Sequence, residues 1–154
     1  FSAIDCAPLN ETIVSARGKG AYLLQQQRWH HLHVSTVPTL SRAVCAIEYY
    51  TKSPQTRTQG LRMFTAFTKK SLKMRYFSSA VLGFFNVAAG RVDVFTMDAY
   101  PWDIAAGRLI VTEAGGRVTD WRGRKLPVMF KGHRKYIATN GLLHKEATAI
   151  TSSF

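Results

Sequence analysis

An α/β layered domain, preceded by a β-hairpin that belongs to a different sheet, is predicted from three observations. Helical and strand-like patterns alternate from about residue 34 onward. Residues 2–17 read instead as two short strands about a turn. Of the 154 residues, 46% are hydrophobic, enough for one core, while the chain is too short for two independent domains. The expected division is 1–33 as hairpin and loop of an N-terminal half, and 34–154 as a C-terminal α/β subdomain.

Residues 2–9 and 12–17 pair about Asn10-Glu11. Gly18 and Gly20 then permit a tight turn before another extended piece. Residues 25–31 are polar and read as loop. His33 to Val37 is a candidate strand stopped by Pro38. Leu40, Val44, Ile47 and Tyr50 recur at helical spacing, so a helix is expected over 39–51 with Thr39 as its cap. Ser53-Pro54 breaks that pattern, and a second helix follows from about Gln55 to Thr68, with Leu61, Phe64 and Phe67 on one face. Lys73 to Phe77 is a short extended piece. Ser78 to Ala89 is a helix closed by Gly90. Val92 to Met97, rich in β-branched and aromatic residues, is a strand. Pro101-Trp102-Asp103 opens a helix that runs to about Ala114 and stops at Gly115-Gly116. Arg117 to Trp121 and Tyr136 to Thr139 complete the strands. Asn140-Gly141 leads into a C-terminal helix.

Twenty-one Lys and Arg stand against nine Asp and Glu, a net charge of +12. Such a field attracts polyanions, or is simply a solvated basic face. The cations fall into two groups: Lys69, Lys70, Lys73, Arg75; and Arg117, Arg122, Arg124, Lys125, Lys131, Arg134, Lys135. Neither is a known nucleic-acid motif. Cys6 and Cys45 lie in apolar surroundings, as buried thiols in an intracellular reducing compartment, cytoplasm or organelle, would. His30, His31 and His33 lack the Cys partners and the i, i+4 spacing of a zinc site. No run of about 18 apolar residues spans a membrane, and no strongly basic amphipathic helix marks a membrane surface. The sequence opens on Phe1 inside a strand-like pattern, as a fragment or processed chain would.

The densest motif is Pro101-Trp102-Asp103-Ile104-Ala105-Ala106-Gly107-Arg108-Leu109-Ile110-Val111-Thr112-Glu113-Ala114-Gly115-Gly116. Asp103 sits at a helix entrance, where a carboxylate can reach a cation or can simply cap the helix. Ala105, Ala106 and Gly107 allow close packing. This stretch resembles the C-terminal signature of the inositol monophosphatase family. Ser78-Ser79-Ala80-Val81 with Val87-Ala88-Ala89-Gly90-Arg91-Val92-Asp93 is similar to the family's Gly-Ser/Thr-Ala-Ala helix and its Ala-x-Gly-x-x-Asp exit. Ser15 to Tyr22 resembles its Ala-x-x-Gly-x-Gly-Ala hairpin. Tyr136 to Gly141 resembles its closing strand and turn.

The resemblance implies the C-terminal half of the layered sugar-phosphatase fold. It implies Asp103 as a metal ligand, Mg²⁺ as the cofactor and a small phosphate monoester as the substrate. Ser78, Ser79 and Ala80 would help hold that substrate, although Ser78 replaces the family's Gly and either serine can act as an N-cap. Asp98 is a further carboxylate near the implied site. The family's Asp-Pro-x-Asp-Gly-Thr motif and upstream Glu, which supply most metal ligands, would lie before Phe1, so no complete catalytic set is expected in this chain. The family's Glu before Trp-Asp is absent, with Thr96 and Met97 in that region and a loop one residue shorter.

Two functions follow. One is part of a Mg²⁺-dependent phosphomonoesterase whose upstream half supplies the remaining ligands. The other is a catalytically inactive, basic structural or RNA- or polyanion-binding subunit of a larger, ribonucleoprotein-type assembly. In either case the open edge of the hairpin sheet calls for cover by an N-terminal half or another protein.

Overall fold

The computed structural model describes residues 1–49, 53–127 and 131–154. The opening segment is a meander of β1 (Ser2–Cys6), β2 (Glu11–Ser15), β3 (Ala21–Gln25) and β4 (Arg28–His31), antiparallel in the order β1-β2-β3-β4. Alternation sets its inner face. Ile4, Ile13 and Leu23 are buried, and the residues between them are exposed or half-buried. Asn10 turns the first hairpin in the left-handed region, at φ 51°.

Residues 25–31 are thus not a loop. Gln26 and Gln27, both at positive φ, make a two-residue turn, and Arg28 to His31 return as an edge strand. All four residues of β4 are exposed, so the strand carries no apolar signal.

The second sheet has the order β6-β5-β7-β9-β8, from β5 (Val44–Ile47), β6 (Lys73–Arg75), β7 (Val94–Ala99), β8 (Arg117–Asp120) and β9 (Arg134–Thr139). β5 is parallel to β6 and β7, whereas β9 is antiparallel to β7 and β8. Helices α2 (Ala80–Ala88) and α3 (Pro101–Glu113) lie between the two sheets. The outer face of the second sheet is covered by α1 (Pro54–Thr68) and α4 (His144–Thr151). The layers therefore run sheet, helices, sheet, helices, which is the α/β layering expected from the alternation.

The expected helix over 39–51 is replaced by a short 3-10 turn at Leu40–Arg42 and by β5. Ala43, Cys45, Ala46 and Ile47 are all fully buried. A strand covered on both faces is apolar at nearly every position, so helical spacing arises within it by coincidence. Tyr50 and Thr51, the end of that expected helix, lie outside the described residues. Residues 33–37 form no strand. Their polar groups are met instead by Ala114 O, which accepts from Val34 N at 2.9 Å, and by the Asn140 amide, which donates to Ser35 Oγ and Val37 O.

α1 starts on a capping box. Ser53 Oγ accepts from Thr56 N at 3.2 Å, and Thr56 Oγ1 accepts from Ser53 N at 3.1 Å. Its buried face is Gly60, Met63 and Phe67, while Leu61, expected on that face, is exposed. Gly107, as expected, permits close packing: a Cβ there would meet the Phe84 ring at 2.2 Å, so α3 presses its backbone onto α2. Ala105 is exposed and takes no part in that contact.

Both cysteines are buried free thiols, and burial pushes the Cys45 thiol up to about 12. Among the described residues no helix is long and apolar enough to cross a membrane.

His144, 3% exposed, sits between two threonines. Thr119 Oγ1 donates to Asp120 O and therefore accepts from His144 Nε2 at 2.9 Å. Thr139 Oγ1 then donates to Nδ1 at 2.9 Å. Burial, then the nearby Arg117, lowers the ring's pKa from 6.5 to about 4. Because the folded value lies below the unfolded one, this stability is full above pH 6.5 and is lost as pH falls towards 4. The whole loss amounts to about 3 kcal/mol. Urea unfolding at pH 7 and pH 4 checks this. The wild-type protein is expected to lose about that much more stability than His144→Gln between the two pH values, and equal losses would contradict the buried neutral imidazole.

Candidate functional site

The parallel strands β5, β6 and β7 end at one edge of the second sheet, and the chain leaves that edge into its chemistry. Glu48 follows β5, Phe77 to Ser79 follow β6, and Asp98 to Asp103 follow the middle of β7. In open α/β sheets this carboxyl edge is where ligands bind.

Glu48 is 3% exposed and its carboxylate accepts two backbone bonds. Phe77 N donates to Oε1, and Ser78 N donates to Oε2 at 3.1 Å. Burial raises the Glu48 pKa, and the two amides pull it part of the way back. Ser78 itself stands at φ 54°, the left-handed region where glycine is at ease. The chain thus takes a glycine-type backbone with a serine, and Glu48 clasps it. Ser79, extended at φ −150°, is the N-cap of α2, its Oγ accepting from Leu82 N at 3.3 Å. Ser78 is exposed, Ser79 half-buried and Ala80 buried. The helix therefore begins two residues later than the apolar pattern indicates.

Asp103 is the third residue of α3. Its Oδ2 accepts from Tyr100 N at 3.0 Å, while its own N donates to Tyr100 O at 3.1 Å. The cap reading is thereby realised. Among the described residues Oδ1 carries no hydrogen bond. Trp102, 70% exposed, stacks on Tyr100 with ring centroids 4.4 Å apart. Asp98 lies on β7 with its Oδ1 3.9 Å from His133 Nδ1. No hydrogen bond or ion pair among the described residues joins Asp103 to Ser78, Ser79 or Ala80. The structure brings their helix starts to one edge and does not couple their side chains.

Mg²⁺ requires several oxygen ligands in near-octahedral geometry. Among the described residues no three His, Cys, Asp or Glu side chains are grouped to hold a metal. Asp103 alone does not make such a centre, and these residues do not fit Mg²⁺ without carboxylates from elsewhere. His31 Nδ1 and His33 Nε2 bond each other at 2.9 Å.

Two of the sequence motifs meet directly. Glu113 accepts from Gly18 N at 2.9 Å, Lys19 N at 3.2 Å and Gly20 N at 2.9 Å, fixing the β2–β3 turn against the end of α3. Those amides of Gly18 and Gly20 hold its carboxyl below the usual range. Asp93 likewise ties the α2 exit to the second sheet, accepting from Val44 N at 2.6 Å and from Ser35 Oγ. Glu11, buried in β2, forms a two-pronged ion pair with Arg91 at 2.7 Å on each arm.

Residues 1–153 match the sequence profile of the inositol monophosphatase family. The chain belongs to that family. It is 34% identical over 153 residues to the fructose-1,6-bisphosphatase/inositol-1-monophosphatase of Thermotoga maritima, covering 99% of this chain and 55% of that protein. It is 36% identical over 115 residues to the Nus factor SuhB of Escherichia coli, covering 74% and 42%. The solved structure of an IMPase from Thermotoga maritima superposes with a TM-score of 0.82 at 31% identity, covering 98% of this chain and 55% of that one. The chain therefore spans about half the length of the family members it matches.

Proposed function

We propose that this chain is the substrate-orienting half of a Mg²⁺-dependent phosphomonoesterase of the inositol monophosphatase family, and that it hydrolyses a small phosphate monoester only together with an upstream half. The observation that carries this reading is the shared edge. Ser78–Ala80 and Asp103 stand at two helix starts leaving one sheet edge, within motifs that resemble the family's site. The α2 start, with the Ser79 hydroxyl, would orient the phosphate ester, and helix N-termini favour such anions. Asp103 would offer Oδ1 to the cation while Oδ2 keeps the cap. Residues 1–33 would extend the sheet of the upstream half, which would cover its open edge.

The test is phosphate release from a panel of small monoesters, inositol monophosphate included, with and without Mg²⁺. The complete polypeptide is expected to be active with Mg²⁺, and residues 1–154 alone to be inert. An inert complete polypeptide would rule the enzyme out.

A second reading, a basic structural or RNA-binding subunit, is favoured by the net charge of +12. The match to a protein named as a Nus factor agrees with it.

A further inference from the structure

Nine carboxylates serve the whole chain, and none falls between Glu48 and Asp93. That interval carries Lys52, Arg57, Arg62, Lys69, Lys70, Lys73, Arg75 and Arg91. Arg91 is spent on Glu11. Arg57, Arg62, Lys69, Lys70, Lys73 and Arg75 are all exposed, and among the described residues none of them forms an ion pair.

The fold gathers these cations. Arg62 and Lys69 are seven residues apart, so they share one side of α1. With Leu61, Thr65, Ala66, Lys70 and Phe154 they line a shallow groove of about 530 Å³. Arg62 is steadied over the Phe154 ring, 5.7 Å from its centroid. Beyond the end of α1 runs β6, the edge strand; its Met74 packs with α1, so Lys73 and Arg75, both exposed, stand on the other face of the sheet. Tyr76, the next residue, is exposed and packs edge-on against Tyr49.

The other basic group is built differently. Arg124 is bonded to Asp120 at 2.7 Å, and Lys135 is held by Gln59 at 3.0 Å and by the Trp121 ring. Asp98 and Asp120 line the same groove. Acid and base are mixed there, whereas the charges in the α1 groove are of one sign.

We infer that the α1 groove is a binding surface for the sugar-phosphate backbone of a nucleic acid. Guanidinium and ammonium groups, with the Thr65 hydroxyl beside them, are donors that phosphate oxygens take. An adjoining exposed tyrosine offers a stacking face for an unpaired base. A lipid surface would need an apolar stripe along the helix; the outer side of α1 carries Gln55, Thr58, Arg62 and Thr65 beside Leu61, with Leu72 exposed beyond its end. This inference rests on the second reading above and adds the location and the ligand chemistry.

The test uses the complete polypeptide and fluorescence anisotropy with labelled single-stranded RNA, the matching DNA and the duplex, with vesicles containing anionic lipid alongside. Wild type is expected to bind nucleic acid with a steep salt dependence. The variant R62Q/K69Q/K70Q should bind at least about tenfold more weakly at 0.1 M salt, with a log–log salt slope shallower by about three. The control R122Q/K125Q/K131Q, which removes the same charge elsewhere, should stay within about twofold of wild type. No binding by wild type overturns the polyanion reading itself. Binding weakened equally by both variants overturns only the assignment to α1, and preference for vesicles overturns the ligand. Single-stranded RNA bound more tightly than duplex supports the stacking role of Tyr76.

Discussion

Replacing Asp103 by Asn in the complete polypeptide is expected to lower Mg²⁺-dependent turnover by at least about a hundredfold while leaving the fold intact. A carboxylate that helps hold a catalytic cation contributes several kcal/mol through its charge. A capping side chain contributes through an oxygen that accepts a backbone bond, and Asn caps as well as Asp does. At Asp103 the two roles would use different oxygens: Oδ2 accepts from Tyr100 N, and Oδ1 carries no hydrogen bond among the described residues. The substitution therefore separates them. Thermal midpoint and circular dichroism should be nearly unchanged, because the bond to Tyr100 survives. Steady-state kinetics across a Mg²⁺ titration should show the collapse. Turnover close to wild type would leave Asp103 as a helix cap and nothing more.

Replacing Glu48 by Gln should destabilise the protein by about 1–3 kcal/mol, the cost of setting an amide donor against a buried N–H. Both carboxylate oxygens are in use, on Phe77 N and Ser78 N, so no orientation of a glutamine side chain satisfies both amides. The neighbouring backbone makes the prediction sharper. A serine at φ 54° costs about 1 kcal/mol or more relative to glycine, and Glu48 offsets that cost by holding the amides on either side of the peptide in place. Ser78→Gly removes the strain. In that background Glu48→Gln should cost less, with a coupling of about 0.5 kcal/mol or more between the two sites. A double-mutant cycle in urea measures it. Strict additivity would mean that Glu48 does not hold Ser78.

The second effect is not visible in the chain read as a string. Ser78 reads as a departure from the family's glycine, which puts the backbone approach in question. Its positive φ shows that the glycine conformation is kept. Glu48 closes a short apolar run, and nothing in its spacing links it to residues 29 and 30 positions later. The same holds for Glu113. It was legible as part of a motif, and so was the Gly18–Gly20 hairpin, yet only the fold brings the two together through three hydrogen bonds.

Local patterns were readable wherever one face meets water. The start of α1 after Ser53, the Pro101 start of α3 and the β1–β2 hairpin all lie near where the residues place them. Two of the failures came at the extremes of burial. β5, covered on both faces, has no polar side to mark its period, and β4, exposed throughout, has no apolar one.

The sequence by itself determined the family, the layered α/β class, the motifs that carry Asp103 and Ser78–Ala80, and the excess of positive charge. Those properties depend on residue identity and short-range spacing, which a linear chain displays in full. Only the tertiary structure decided that Glu48 clasps the start of α2 and that Arg62, Lys69 and Lys70 line one groove with Phe154. Each is a relation between residues far apart along the chain or on different elements, and packing alone sets those distances.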